Sequence, residues 1–129
     1  MTSKQIASVL VAAVVLAYGN SLGGAFHYDD FHSLVNNTSI RDVETIPSFF
    51  TQTRHFSADA DKSMYRPVVL TSYALDYAIF GNKAVGFHLT NLLLHLACVL
   101  LFWQVVVCVG GSSDWRIAAF AAAMFAVHP

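Results

Sequence analysis

VGFHLTNLLLHLACVLLFWQVVVCV, residues Val85 to Val109, decides the class of this protein. The stretch holds no Asp, Glu, Lys or Arg from end to end. At about 1.5 Å per residue it outreaches the roughly 30 Å of a bilayer's hydrocarbon core, so it can cross with some tilt. It is followed by Gly110-Gly111-Ser112-Ser113, which predicts a tight polar turn. Trp115 and Arg116 then mark an interface, and a third apolar block runs from Ile117 to His128-Pro129.

At the other end of the chain, Lys4 precedes an apolar block from Ile6 to Tyr18. That block alone is shorter than the roughly 20 residues a span needs. The weakly polar residues after it can extend a helix to about Leu22. A cleaved signal peptide is the competing reading, with Lys4 as its charged start and Ala17-Tyr18-Gly19 as a small-residue cleavage site. The embedded segment downstream favours a retained helix.

Composition agrees with a membrane setting. Among 129 residues, 56% are hydrophobic and 12% charged, against roughly 25% charged in an ordinary soluble domain. The net charge of -1 supplies no basic field for nucleic acid, and no motif for it is present. Cys98 and Cys108 both fall in the long apolar block and read as packing residues, without zinc spacing. The expected architecture is an all-α integral membrane protein, multi-pass, with spans at about 5–22 and 85–109. An incomplete span follows at 115–129, and a polar loop occupies about 23–84. A third span ending at Pro129 suggests the N-terminal piece of a larger polytopic protein.

Short helical pieces are expected in the loop. Asp42 can cap one that runs to Phe50, with Glu44 in its first turn. Pro67 opens another and Gly81 closes it. That helix, Val68 to Phe80, is too short to span. Its polar side is narrow, made of Thr71, Ser72 and Asp76, and it is expected at the membrane interface, where Tyr73, Tyr77 and Phe80 suit the boundary. Charge leaves the loop's side open. Arg41, Arg54, Lys62, Arg66 and Lys83 would place it in the cytoplasm, whereas the signal-like N-terminus would place it outside.

Three constellations can carry chemistry. The first is Phe26-His27-Tyr28-Asp29-Asp30-Phe31, where a membrane helix meets the loop. Paired carboxylates can hold a divalent cation, orient a hydroxyl, or act as base and support; a solvated turn or a helix cap is the plain alternative. The second is Tyr65-Arg66-Pro67. An arginine at a helix N-terminus suits phosphate, and it equally suits lipid head groups. The third is His88, Asn91 and His95, on one face of the long span. The two histidines lie about 10 Å apart along the axis, too far to share one ion, and helix–helix hydrogen bonding is the plain alternative. Asn36-Asn37-Thr38-Ser39 adds two overlapping glycosylation sequons. No cofactor motif is present.

The ordered set Tyr28-Asp29-Asp30, Tyr65-Arg66-Pro67, Phe80-Gly81-Asn82, Gly86-Phe87-His88-Leu89-Thr90-Asn91-Leu92-Leu93-Leu94-His95 and Phe125-Ala126-Val127-His128-Pro129 resembles the N-terminal membrane part of the transmembrane and tetratricopeptide-repeat proteins and their prokaryotic relatives. These belong to the GT-C superfamily of glycosyltransferases. The resemblance implies a GT-C-like fold, with interfacial helices in an external loop. It also implies transfer of a sugar, mannose in the animal members, from a polyprenyl-phosphate carrier to a protein or lipid acceptor. The reaction would occur on the external or luminal face, in the endoplasmic reticulum of a eukaryote or the inner membrane of a bacterium. Asp29 or Asp30 matches the position of the family's acidic residue, and Asp29 is expected to be the general base, assisted by Asp30. Arg66, with Tyr65, is expected to meet the carrier phosphate, and His88 and Asn91 to help bind substrate. The chain has no helical repeat of about 34 residues, and taken alone it is expected to be inactive. Two other readings stand beside this one: a transporter or channel component whose polar pathway is lined by His88, Asn91 and His95, and an inactive structural fragment.

Overall fold

A computed structural model describes residues 1–110 and 115–128. The described residues are helical or irregular, without strands. They fall into two compact units, Met1–Leu22 with Leu89–Pro129, and Gly23–His88.

In the first unit, α1 (Ser3–Tyr18) begins with a capping box: Thr2 accepts from the Gln5 amide, and the Gln5 side chain accepts from the Thr2 amide. A short 3-10 turn, Gly19–Gly23, prolongs it, and the combined 21 residues are long and apolar enough to cross a membrane. α4 (Ala84–Val109) passes the same test with 26 residues; its Leu89–Val109 part belongs to this unit. α5 (Trp115–Val127) is shorter. Ile6, Leu10 and Val14 recur every fourth residue on α1 and are buried in one cluster with Ala122 and Ala126 of α5 and Val99 of α4. Alanine on every fourth position of α5 lets two backbones approach closely, as membrane helices do in place of burying large apolar groups from water. The polar turn expected at Gly110–Ser113 lies outside the described residues beyond Gly110, as does Pro129.

The second unit is built from one-turn pieces: a π-helical turn Phe31–Val35, then 3-10 turns at Thr38–Arg41 and Val43–Thr45 leading into α2 (Ile46–Phe49), and further 3-10 turns at Thr53–Phe56 and Ala60–Lys62. Asp42 does cap, its side chain accepting from the Glu44 amide at 2.9 Å, but the first turn it caps is 3-10. α3 (Pro67–Phe80) starts at the proline and stops at Gly81, whose φ of 62° and ψ of -144° only glycine adopts without strain. Leu34, Ile40, Phe49, Phe56, Leu70, Ala74 and Phe87 form the core, with Tyr73 and Tyr77 packed against it.

The structure shows which side of α3 is covered. Asp76 is buried, and the Thr71 and Ser72 hydroxyls donate back to the carbonyls of Pro67 and Val69. The exposed side is the apolar one, carrying Val68, Leu75 and Ile79. Hydroxyls that bond their own helix can sit against apolar neighbours at little cost. The tyrosine rings therefore serve this unit's core, and aliphatic side chains face outward.

Candidate active site

The acidic pair sits in a turn that its own groups build. The Asp30 amide donates to the His27 carbonyl and the Asp30 carboxylate accepts from the His27 amide, both at 2.9 Å. Tyr28, inside that turn, adopts a φ of 43°, a left-handed backbone that costs a non-glycine residue about 1–2 kcal/mol. The strain coincides with the residues singled out for chemistry, where such outliers cluster. One carboxylate is thus tied into the backbone and the other, Asp29, stands in the open with 91% of its side chain exposed.

Asp29 has a partner that the sequence reading passed over. Its Oδ1 lies 3.3 Å from Nε2 of His32, and the other ring nitrogen, Nδ1, lies 3.0 Å from Ser57 Oγ. A carboxylate only accepts, so Nε2–H donates to Asp29; in the neutral ring Nδ1 then accepts the Ser57 hydroxyl proton. Ser57 Oγ accepts in turn from the Asp59 amide at 2.9 Å. His32 and Ser57 are both buried. The available signal was spacing: Asp29 and His32 are three apart, neighbours on any helical turn.

A cavity of about 560 Å³ opens at this point, inside the roughly 300–1,000 Å³ range of small-molecule sites. Its lining brings together Asp29, Asp30, His32, Lys62, Arg66 and Tyr73. Carboxylates from the start of the loop thereby share a cavity with Lys62 and Arg66 from its end, where Asp61 adds a third carboxylate and Lys62 Nζ is paired with Asp59 at 3.6 Å. Arg66 precedes α3, and its guanidinium lies 5.5 Å from the centre of the Phe56 ring, which holds it by a cation–π contact. Burial raises the pKa of the Tyr73 hydroxyl above 10.0; Asp30 and Asp76 push it further up and Arg66 opposes them. Tyr73 therefore keeps its proton at neutral pH and can donate a hydrogen bond into the cavity.

The other expected residues lie elsewhere. Tyr65 turns its hydroxyl to the Phe50 carbonyl at 3.0 Å, bracing the segment before Arg66. His88 is not part of the cavity lining; its Nε2 is buried and has no hydrogen-bond partner among the described residues. Asn91 is exposed on α4, in the other unit. His95 meets the Ala126 carbonyl at 3.2 Å and stands edge-on to Tyr18, whose hydroxyl donates to the His128 carbonyl at 2.7 Å. These two contacts satisfy carbonyls left open where α5 ends. No group of three or more His, Cys, Asp or Glu side chains among the described residues is arranged to hold a metal ion.

The helices and their apolar surfaces define an all-α membrane protein. No family model matches the chain, and no solved structure matches it significantly. Curated relatives do. The chain is 29% identical to protein O-mannosyl-transferase F38B6.6 of Caenorhabditis elegans over 94% of its length, and 33% identical to protein O-mannosyl-transferase tmtc2 of Xenopus laevis over 96%. It is 30% identical over 95% of its length to protein O-mannosyl-transferase TMTC1 of Homo sapiens. It is thus a relative of the protein O-mannosyl-transferases, the family its ordered motifs resemble. The chain spans 18%, 15% and 14% of the length of these three proteins.

Proposed function

We propose that the gene product transfers mannose from a polyprenyl-phosphate carrier to a Ser or Thr hydroxyl of a protein. The loop of this chain would supply the catalytic base on the external or luminal face of the membrane. The observation that carries the reading is the cavity that Asp29 and Asp30 line together with Arg66 and Lys62. A donor of this class brings a negative phosphate and a sugar; an acceptor brings a hydroxyl that must lose a proton. The cavity offers cations for the first need and a carboxylate for the second.

Asp29 takes the proton of the acceptor hydroxyl as its oxygen attacks the anomeric carbon. The new C–O bond forms while the bond from that carbon to the phosphate oxygen breaks, and the polyprenyl phosphate leaves with the bonding pair. Arg66 and Lys62 stabilise the charge that develops on the phosphate, and the Tyr73 O–H can donate to it. Asp30 shapes the turn that presents Asp29. The names of the relatives support a protein O-mannosyl-transferase reading, and a luminal loop agrees with the signal-like start of the chain.

The test is transfer from labelled polyprenyl-phosphate mannose by membranes holding the full-length gene product, with Asp29→Asn beside the wild type. Loss of a positioned base costs on the order of 100- to 10,000-fold. Equal rates for the two proteins at equal expression would remove Asp29 from the mechanism.

A further inference from the structure

The sequence carries two overlapping sequons, Asn36-Asn37-Thr38 and Asn37-Thr38-Ser39, and the fold treats their asparagines in opposite ways. Asn37 is 2% exposed. Its Nδ2 donates to the carbonyls of Ser33 at 3.1 Å, His55 at 2.9 Å and Phe56 at 3.3 Å, and its Oδ1 accepts from the Ser39 amide at 3.0 Å. The amide nitrogen that a glycan would need is the knot tying the first half of the loop to the second. Asn36, one residue earlier, is exposed where the π-helical turn ends, and Thr38 is exposed beside it.

We propose that Asn36 is a site of N-linked glycosylation and that Asn37 is excluded from it by the fold. The proposal rests on the luminal placement of the loop argued above. In the reaction, Nδ2 of Asn36 attacks the anomeric carbon of an oligosaccharide carried on a lipid diphosphate, in the active site of a membrane oligosaccharyltransferase. The C–N bond forms, the bond from that carbon to the diphosphate oxygen breaks, and the lipid diphosphate leaves. The amide nitrogen gives up one proton to the transferase's base. Both sequons are open while the chain is unfolded. A sugar on Asn37 would then have to be buried among the carbonyls of Ser33, His55 and Phe56, so chains modified there cannot complete this unit. A sugar on Asn36 projects outward and leaves every Asn37 bond intact.

The experiment expresses the full-length gene product in animal cells, removes N-glycans enzymatically so that each modified Asn becomes Asp, and sequences the tryptic peptide that ends at Arg41 by mass spectrometry. Conversion at position 36 without conversion at 37, lost in Asn36→Gln and kept in Ser39→Ala, is the expected result. Conversion at 37, or at neither position, overturns the proposal. A parallel Thr51→Asn variant, which makes a sequon with Gln52 and Thr53 at an exposed position, separates the two ways of failing. If position 51 is modified and position 36 is not, the luminal loop stands and Asn36 falls. If neither is modified, the luminal placement falls with it.

Discussion

His32 Nε2 lies 3.3 Å from Asp29 Oδ1, with the ring held from its far side by Ser57 Oγ at 3.0 Å. A surface carboxylate with 91% of its side chain exposed would ordinarily sample many orientations. A buried imidazole fixed at both nitrogens narrows that range toward the cavity. Under the proposed function, His32 is a positioning residue that would act on the acceptor through Asp29.

His32→Ala should therefore lower kcat for mannosyl transfer about tenfold, on the order of 1.4 kcal/mol of transition-state stabilisation, with KM for the donor little changed. His32→Gln, whose amide can donate to Asp29 and accept from Ser57, should recover part of the rate. Steady-state kinetics on the full-length protein in membranes decide this. Equal damage from both variants would mean that His32 serves packing alone.

Arg66 is exposed, yet its guanidinium rests over Phe56 at the cavity edge. Charge-assisted hydrogen bonds contribute about 1.5–3 kcal/mol, which corresponds to a loss of about ten- to a hundredfold in donor affinity. Arg66→Ala should raise KM for the polyprenyl-phosphate donor by that factor. Arg66→Lys should restore the charge but not the flat stacking on Phe56, and so fall between. An unchanged KM in Arg66→Ala would shift the phosphate contact to Lys62.

His55 gives the loop unit a pH dependence. Its Nε2 lies 3.0 Å from Ser48 Oγ, and Ser48 already donates its proton to the Thr45 carbonyl, so Nε2–H must donate to Ser48. Nδ1 then accepts from Ser39 Oγ at 3.1 Å. Burial, helped by the neighbouring Arg54 charge, lowers the His55 pKa below 6.5. The neutral ring is favoured in the folded state, so the unfolded chain takes up the proton first as pH falls. This contribution to stability is complete above pH 6.5 and is lost progressively below it, down through the folded pKa. Thermal midpoints of the purified protein between pH 7.5 and about 5 should fall, and should fall less in His55→Gln. Equal slopes for the two proteins would count against a role for His55.

The long elements were legible because their signals are local. Val85–Val109 announces a helix by composition, and Pro67 and Gly81 bracket α3 by backbone chemistry. Of the turns between Phe31 and Lys62, only the one that Asp42 caps and the short helix after it were legible. Each of the others is a single turn, too short for any periodicity to register. Their shape depends on bonds between residues far apart in sequence, such as Ala58 N–H to the His32 carbonyl at 2.9 Å and the Asn37 amide to His55 and Phe56. The candidate site divides in the same way. Asp29, Asp30 and Arg66 stood out as residue types at helix boundaries; His32 carried only its spacing of three from Asp29, and Tyr73 acquires meaning only when the loop folds back on itself. Helical spacing put Thr71, Ser72 and Asp76 on one face but did not say which face would be covered.

Gly86 offers a test of the packing between α3 and the start of α4. A Cβ added there would lie 2.6 Å from Phe80 Cβ and 2.4 Å from its ring. The Phe80 Cβ cannot swing away as the end of a flexible side chain can, so the backbone must move. Replacing glycine by alanine inside a helix gains roughly 0.5–1 kcal/mol, whereas overpacking costs about 1–3 kcal/mol. The clash should win. Gly86→Ala is expected to lower the thermal midpoint by several degrees, while Gly23→Ala, where an added Cβ meets nothing within 4 Å, should leave it unchanged or slightly raised. A midpoint for Gly86→Ala at or above wild type would show that the two segments are not in this close contact in the membrane.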